Sequence, residues 1–118
     1  QDFEVIVTNN LFGDIITDIG AALQGGLGLA SSGNINPGKA ALFEPVHGSA
    51  PDIAGQGIAN PFASILTVGM LLAYLGRTAD EVRIQKAVQR CLKDGLVTRE
   101  LGGTLSSREA TDAVLAAL

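Results

Sequence analysis

Phe43-Glu44-Pro45-Val46-His47-Gly48-Ser49-Ala50-Pro51-Asp52-Ile53-Ala54-Gly55-Gln56-Gly57-Ile58-Ala59-Asn60-Pro61 sets the single histidine of the sequence, two acids, a glutamine and an asparagine among glycines and prolines. Permissive backbone beside convergent polar side chains suits a loop that wraps a polar ligand, because backbone amides can then approach it closely. The plainer alternative is a well-ordered connection whose polar groups satisfy one another.

Working outward, Asn60-Pro61 marks a helix start: Asn can cap, and Pro sits in the first turn, where its missing N–H costs nothing. That helix runs to Gly76. Thr78-Ala79-Asp80-Glu81 and Ser106-Ser107-Arg108-Glu109 have the spacing of capping boxes, opening helices that end near Gly95 and at Leu118. Upstream of the loop, Ala40 to Phe43 suits a short strand, and Gly25 to Gly38 reads as a loop rich in Gly, Ser and Asn. Alternation over Phe3 to Thr8 predicts a short, largely buried strand ended by Asn9-Asn10. A helix then begins near Gly13-Asp14, with Ile15, Ile19 and Leu23 on one face, and Gly25-Gly26 stops it. The pattern is α/β. Two strands among four helices do not make a sheet alone, so they read as pieces of a larger one.

Asp14 and Asp18 are one turn apart on the predicted helix and share a face. Like charges there repel by a few tenths of a kcal/mol, roughly 0.2–0.5. A hard divalent cation such as Mg²⁺ or Mn²⁺ would remove the conflict, and Asp14, near the helix start, would also gain from the macrodipole. Spacing alone favours an ordinary exposed acidic face. Glu44 reads as a structural acid. Arg99, Arg108 and Lys39 read as solvated surface charge, and Cys91 as a small apolar residue on a helix. Gly25-Gly26-Leu27-Gly28 follows a helix and lacks the G-x-G-x-x-G spacing, which excludes a Rossmann fingerprint.

The 118 residues make one modest domain, 47% hydrophobic and 17% charged, which is soluble-globular composition. A net charge of −4 without a Lys/Arg cluster argues against a nucleic-acid partner. The apolar stretch Pro61 to Leu75 is too short to span a membrane. One cysteine excludes an internal disulfide and fits a reducing, cytoplasmic setting. The abrupt opening at Gln1-Asp2, without an initiator Met, suggests the carboxy-terminal part of a longer chain.

The Phe43–Pro61 loop resembles the adenosine-binding loop of the β-decarboxylating dehydrogenases, the isocitrate/isopropylmalate dehydrogenase family. Thr8-Asn9-Asn10-Leu11-Phe12-Gly13-Asp14-Ile15-Ile16-Thr17-Asp18 resembles the same family's metal-binding motif. Similarity continues through Gly25-Gly26-Leu27-Gly28-Leu29 and Glu100-Leu101-Gly102-Gly103-Thr104, so it covers essentially the whole chain.

The resemblance implies the carboxy-terminal portion of that family's non-Rossmann α/β fold. Residues 1–25 would end the smaller, dimer-forming domain with the metal-binding helix, and 26–118 would complete the larger NAD-binding domain. It implies NAD held by His47, Gly48, Ser49, Ala50, Asp52, Ile53 and Asn60. His47 would lie against the adenosine, Gly48 beside the phosphates and Asp52 on a ribose hydroxyl, while Asn60 serves as helix cap, adenine contact or both. A carboxylate at Asp52 beside Ile53 repels a 2′-phosphate and so favours NAD over NADP.

Asp14 and Asp18, with a third carboxylate from a partner subunit, would hold Mg²⁺ or Mn²⁺ against a small hydroxy-dicarboxylate substrate. The catalytic Lys and Tyr and the substrate-gripping Arg cluster would lie upstream, leaving no catalytic residue within these residues. The expected reaction is NAD-dependent oxidation and decarboxylation of a (2R)-malate derivative by a homodimer. His47-Gly48-Ser49 with Asp52-Ile53 is most similar to the isopropylmalate branch. Asn34-Ile35-Asn36-Pro37 has something of the tartrate and D-malate branch. The competing class is a non-catalytic binding or regulatory module.

Overall fold

The computed structural model describes residues 4–118 and is built of four helices and one β-hairpin. The first helix, α1 (Asn10–Leu23), is followed by strands β1 (Ser31–Ile35) and β2 (Ala41–Pro45). Three helices follow: α2 (Phe62–Tyr74), α3 (Thr78–Lys93) and α4 (Ser107–Ala117). Short 3₁₀ turns at Leu27–Leu29, Pro51–Ile53 and Arg99–Leu101 shape the connections. Among the described residues no helix is long and apolar enough to cross a membrane.

The core forms where α2, α3 and α4 meet. Phe62, fully buried, packs with Ala87, Val88, Cys91, Val97, Ala110 and Val114. Removing a Phe side chain from water contributes about 1.5–3 kcal/mol, so this residue anchors the start of α2 against both later helices. Cys91 behaves as the small apolar residue expected, and burial raises its thiol above the ordinary value. Gly76, at φ +82°, closes α2, and Gly95, at φ +71°, follows the end of α3, as their positions in the sequence suggest.

The hairpin corrects the expected Gly25–Gly38 loop. β1 pairs antiparallel with β2, Ser31 opposite Pro45 and Ile35 opposite Ala41. Ser-Ser-Gly-Asn-Ile has weak β propensity, which is why the pattern hid the strand. Tertiary packing supplies what propensity lacks. A methyl built on Gly33 would lie 3.1 Å from both the Met70 sulfur and the Phe43 ring, so the bare backbone lets the hairpin lie close against α2. Phe43 and Tyr74 add an aromatic contact with ring centres 5.5 Å apart.

Three further expectations change. Phe3 lies outside the described residues, and Glu4 to Asn9 form no strand. Val5, Ile6 and Val7 are exposed, with no neighbouring strand among the described residues to complete a ladder. Helix α1 starts earlier than expected, because Asn9 caps it through Oδ1 to the Phe12 N–H at 3.1 Å. Asp14 therefore falls in the second turn and loses the macrodipole gain. Ile15, Ile19 and Leu23 do share a helical register, yet all three are exposed here.

At α3 the Thr78 box is absent. Only Leu75, Gly76 and Arg77 separate α2 from α3, so Thr78 is drawn into the helix and Arg77 becomes its cap. Arg77 Nε bonds Asp80 Oδ2 at 2.6 Å instead.

The Ser106 box forms as expected: Ser106 N donates to Glu109 Oε2 at 2.8 Å, and Glu109 N donates to Ser106 Oγ at 3.3 Å. Hydrogen bonds from the Ser106 backbone and hydroxyl hold the Glu109 carboxyl below its ordinary value. A carboxylate depressed on folding adds stability above its unfolded pKa and loses it as pH falls through the folded one. Glu109→Gln is therefore expected to be less stable than wild type at neutral pH, with the gap closing in acid. Urea midpoints measured across that range check this; a gap that persists unchanged in acid would contradict it.

Candidate functional site

The Val46–Pro61 loop is held at both ends and in its middle. Val46 N donates to the Ala30 carbonyl at 3.1 Å, continuing the hairpin. Ala50 takes a left-handed conformation, φ +44°, a shape that costs a non-glycine residue strain. The Pro51–Ile53 turn follows, and Gln56 Nε2 closes onto the Asp52 carbonyl at 2.7 Å. Gly55 and Gly57, at φ +77° and +68°, then reverse the chain. Helix α4 pins that reversal: Ser107 N donates to the Gly57 carbonyl at 2.8 Å and Ser107 Oγ to the Ala59 carbonyl at 2.5 Å.

Three hollows surround the loop. A cavity of about 540 Å³ is lined by His47, Gly48, Ala50, Ile53 and Asn60, together with Leu27, Gly28, Ile58, Arg99 and Glu100. A second, of about 430 Å³, shares His47, Gly48, Ala50 and Ile53 and adds Ser49. A third cleft, of about 780 Å³, holds Asp14, Asp18 and Glu44 and again reaches His47 and Gly48. His47 and Gly48 thus stand where all three meet.

Two residues lining these spaces carry buried polar atoms that are incompletely used. His47 Nδ1 lies 3.0 Å from the Gly48 carbonyl, an acceptor, so Nδ1 carries a proton in that bond. Nε2 of the same ring is buried without a partner among the described residues. Asn60 Oδ1 accepts the Phe62 N–H at 3.0 Å and caps α2, while its buried Nδ2 has no partner. Unpaired buried polar atoms cost roughly 1–3 kcal/mol each, so two of them on residues lining one cavity make it the candidate site for a polar ligand.

The structure places several of the residues weighed in the sequence as follows. Asp52 is exposed and lines none of these hollows, although its neighbour Ile53 lines two. Arg99, taken as surface charge, is exposed but lines the 540 Å³ cavity. Glu44, taken as structural, lines the cleft with Asp14 and Asp18. The reading missed Leu27, Gly28, Ile58 and Glu100. Leu27, Gly28 and Glu100 lie in segments that resemble the family and Ile58 in the loop itself, but no local pattern assigned them to a site. For a metal, Asp14 and Asp18 supply hard oxygens on one cleft, but no group of three His, Cys, Asp or Glu among the described residues could hold an ion. The fit is that of a partial site.

A family model for isocitrate/isopropylmalate dehydrogenases matches residues 1–114. The chain belongs to the isocitrate/isopropylmalate dehydrogenase family. It is 56% identical to a homoisocitrate dehydrogenase of Methanocaldococcus jannaschii over 98% of this chain and 33% of that one. It is likewise 56% identical to an isocitrate/homoisocitrate dehydrogenase of Thermus thermophilus over 100% of this chain and 35% of that one. With a 3-isopropylmalate dehydrogenase of Streptomyces griseus it shares 57%, over 94% of this chain and 34% of that one. The chain therefore spans about a third of the length of these curated relatives. The crystal structure of isocitrate dehydrogenase from Methylococcus capsulatus superposes with a TM-score of 0.91 at 46% identity, covering 98% of this chain and 34% of that one. The family's α/β fold is thereby shown, while the substrate branch is not, since relatives of equal similarity carry different substrate names.

The Asn60 assignment makes a prediction against the usual capping order. Asp caps as well as Asn in general, and Ala far worse. Here Asp would place an acceptor oxygen where Nδ2 lies beside Gly28 and Glu100. Asn60→Asp should destabilise more than Asn60→Ala, whose cost is about 1 kcal/mol; urea unfolding of both variants decides, and the reverse order would refute the orientation.

Proposed function

We propose that this chain is the cofactor-binding and metal-binding third of an NAD-dependent oxidative decarboxylase acting on a (2R)-malate derivative. The observation that carries this is the meeting of the Asp14–Asp18 cleft and the two loop cavities at His47 and Gly48. A substrate chelated in the first lies next to a dinucleotide held in the others.

Asp14 and Asp18 would supply carboxylate oxygens to Mg²⁺ or Mn²⁺, with a third carboxylate from a partner subunit. His47 Nε2, without a partner among the described residues, would pair with a ligand hydroxyl, Gly48 would admit phosphate oxygens to the backbone, and Ser49, Ala50 and Ile53 would wall the dinucleotide. Bound NAD would supply the hydride acceptor, and Mg²⁺ or Mn²⁺ held by Asp14 and Asp18 would supply Lewis-acid chemistry for the substrate hydroxyl and the charge left on decarboxylation. The catalytic Lys and Tyr and the Arg cluster would come from outside these 118 residues. The exposed apolar face of α1, with Phe12, Ile15, Ile16 and Ile19, supports placing residues 1–25 in a dimer-forming domain of a homodimer. Residues 26–118 would then belong to the NAD-binding domain.

The isopropylmalate branch is favoured by His47-Gly48-Ser49 with Asp52-Ile53. The second reading is homoisocitrate or isocitrate, favoured by relatives of the same similarity. Tartrate and D-malate keep the same chemistry. The deciding experiment is NAD reduction by the complete polypeptide carrying this sequence, with Mg²⁺ or Mn²⁺, against 3-isopropylmalate, isocitrate, homoisocitrate, tartrate and D-malate. Preference for one substrate fixes the branch; no reduction with any of them leaves the family and sinks the activity in favour of a binding or regulatory module.

Two further outcomes are expected. The 118-residue chain alone should reduce no NAD. Asp52→Lys combined with Ile53→Tyr should shift kcat/KM toward NADP by at least about tenfold, because a cation replaces a carboxylate next to Ile53, which lines both loop cavities. An unchanged cofactor ratio would remove Asp52 from the cofactor assignment.

A further inference from the structure

We propose that Ser107, in the first turn of α4, is a positioning residue for the dinucleotide. It fixes the stretch Gly57–Ala59, which borders both loop cavities, in the shape that receives the ligand. This rests on the dinucleotide reading of those cavities above.

Ser107 makes two bonds to one short piece of chain. Its backbone N–H donates to the Gly57 carbonyl at 2.8 Å and its hydroxyl to the Ala59 carbonyl at 2.5 Å. These two carbonyls flank Ile58, which lines the 540 Å³ cavity. Gly57 and Ala59 line the 430 Å³ cavity beside Ser107 itself. Among the described residues, Gly57, Ile58 and Ala59 make no other hydrogen bond. Gly57, at φ +68°, has no Cβ to restrict its backbone. The wall shared by the two cavities is therefore held by a single residue 48 positions further along the chain.

The helix that carries this clamp is itself fixed. The first N–H groups of a helix have no partner within it, and α4 directs the first of them, Ser107 N, to the loop. The Ser106–Glu109 capping box closes the same turn. Ala110 and Val114 seat α4 in the core with Phe62, two residues beyond Asn60 at the loop's exit. One core thus sets the exit through Phe62 and the reversal through Ser107. A loop already in its binding shape needs no ordering when the ligand arrives, and apparent affinity falls with the fraction of molecules that lose that shape.

The test uses the complete polypeptide and reads NADH dissociation constants by nicotinamide fluorescence beside urea midpoints. Ser107→Ala loses the hydroxyl bond alone and should weaken NADH roughly 3- to 10-fold. Ser107→Thr keeps the hydroxyl and should stay within about twofold of wild type. Ser107→Pro loses hydroxyl and N–H together. Proline suits the first helical position, and Ser106, extended at ψ 164°, accommodates it. That variant should weaken NADH by more than about tenfold. Ser106→Ala controls for stability: it breaks the capping box and lowers the urea midpoint but leaves both Ser107 bonds, so NADH affinity should change by less than about twofold. The positioning role is overturned if Ser107→Ala binds as wild type does, or if Ser106→Ala weakens NADH as much as Ser107→Ala. In either case NADH binding by wild type leaves the proposed function standing. Failure of wild type to bind NADH overturns both.

Discussion

The site depends on one bifunctional side chain. Asn60 closes the N-terminus of α2 with its side-chain carbonyl oxygen and keeps its amide buried beside Gly28, at the wall of the cavity. The next helical residues carry Phe62 into the core between α3 and α4. A shift of Asn60 would therefore move a binding surface and a hydrophobic anchor together. Ser107 braces the same point from α4 by holding the Gly57 and Ala59 carbonyls. The loop is a connection without regular secondary structure over much of its length, yet both its exit and its reversal are tied to helices.

Stability and binding pull in opposite directions here. The core repays the ordering of α2 to α4, with Phe62, Val88 and Val114 essentially buried. The cavity does the reverse. Two of the buried side-chain atoms without partners, His47 Nε2 and Asn60 Nδ2, belong to residues lining it, and Ala50 holds a left-handed backbone at its wall. At roughly 1–3 kcal/mol for each such feature, the loop persists because its surroundings determine it. A bound polar ligand would satisfy what folding leaves open.

Much of this was legible from local pattern. The helix opening at Asn60-Pro61, the Ser106–Glu109 capping box and the stops at Gly76 and Gly95 all rest on chemistry acting over a few residues. Local pattern failed where a distant partner decided. β1 is a strand because Gly33 admits Phe43 and Met70, although Ser31 to Ile35 carry little β propensity. Val5 to Val7 have the right alternation and form no strand among the described residues, since alternation supplies no neighbour to bond with. Thr78 had the letters of a cap but too little chain after Gly76 to act as one.

The sequence by itself determined the family, through the resemblance of its two long motifs, and it set Asp14 and Asp18 one turn apart, because helical spacing is written in consecutive letters. The tertiary structure alone decided that His47 and Gly48 stand between the carboxylate cleft and the loop cavities. It also decided that Asp52 lies outside those hollows and that Glu100 meets Asn60 across Gly28. Those relations join residues far apart along the chain. They follow from how helices, hairpin and turns pack, and no window of neighbouring residues contains that information.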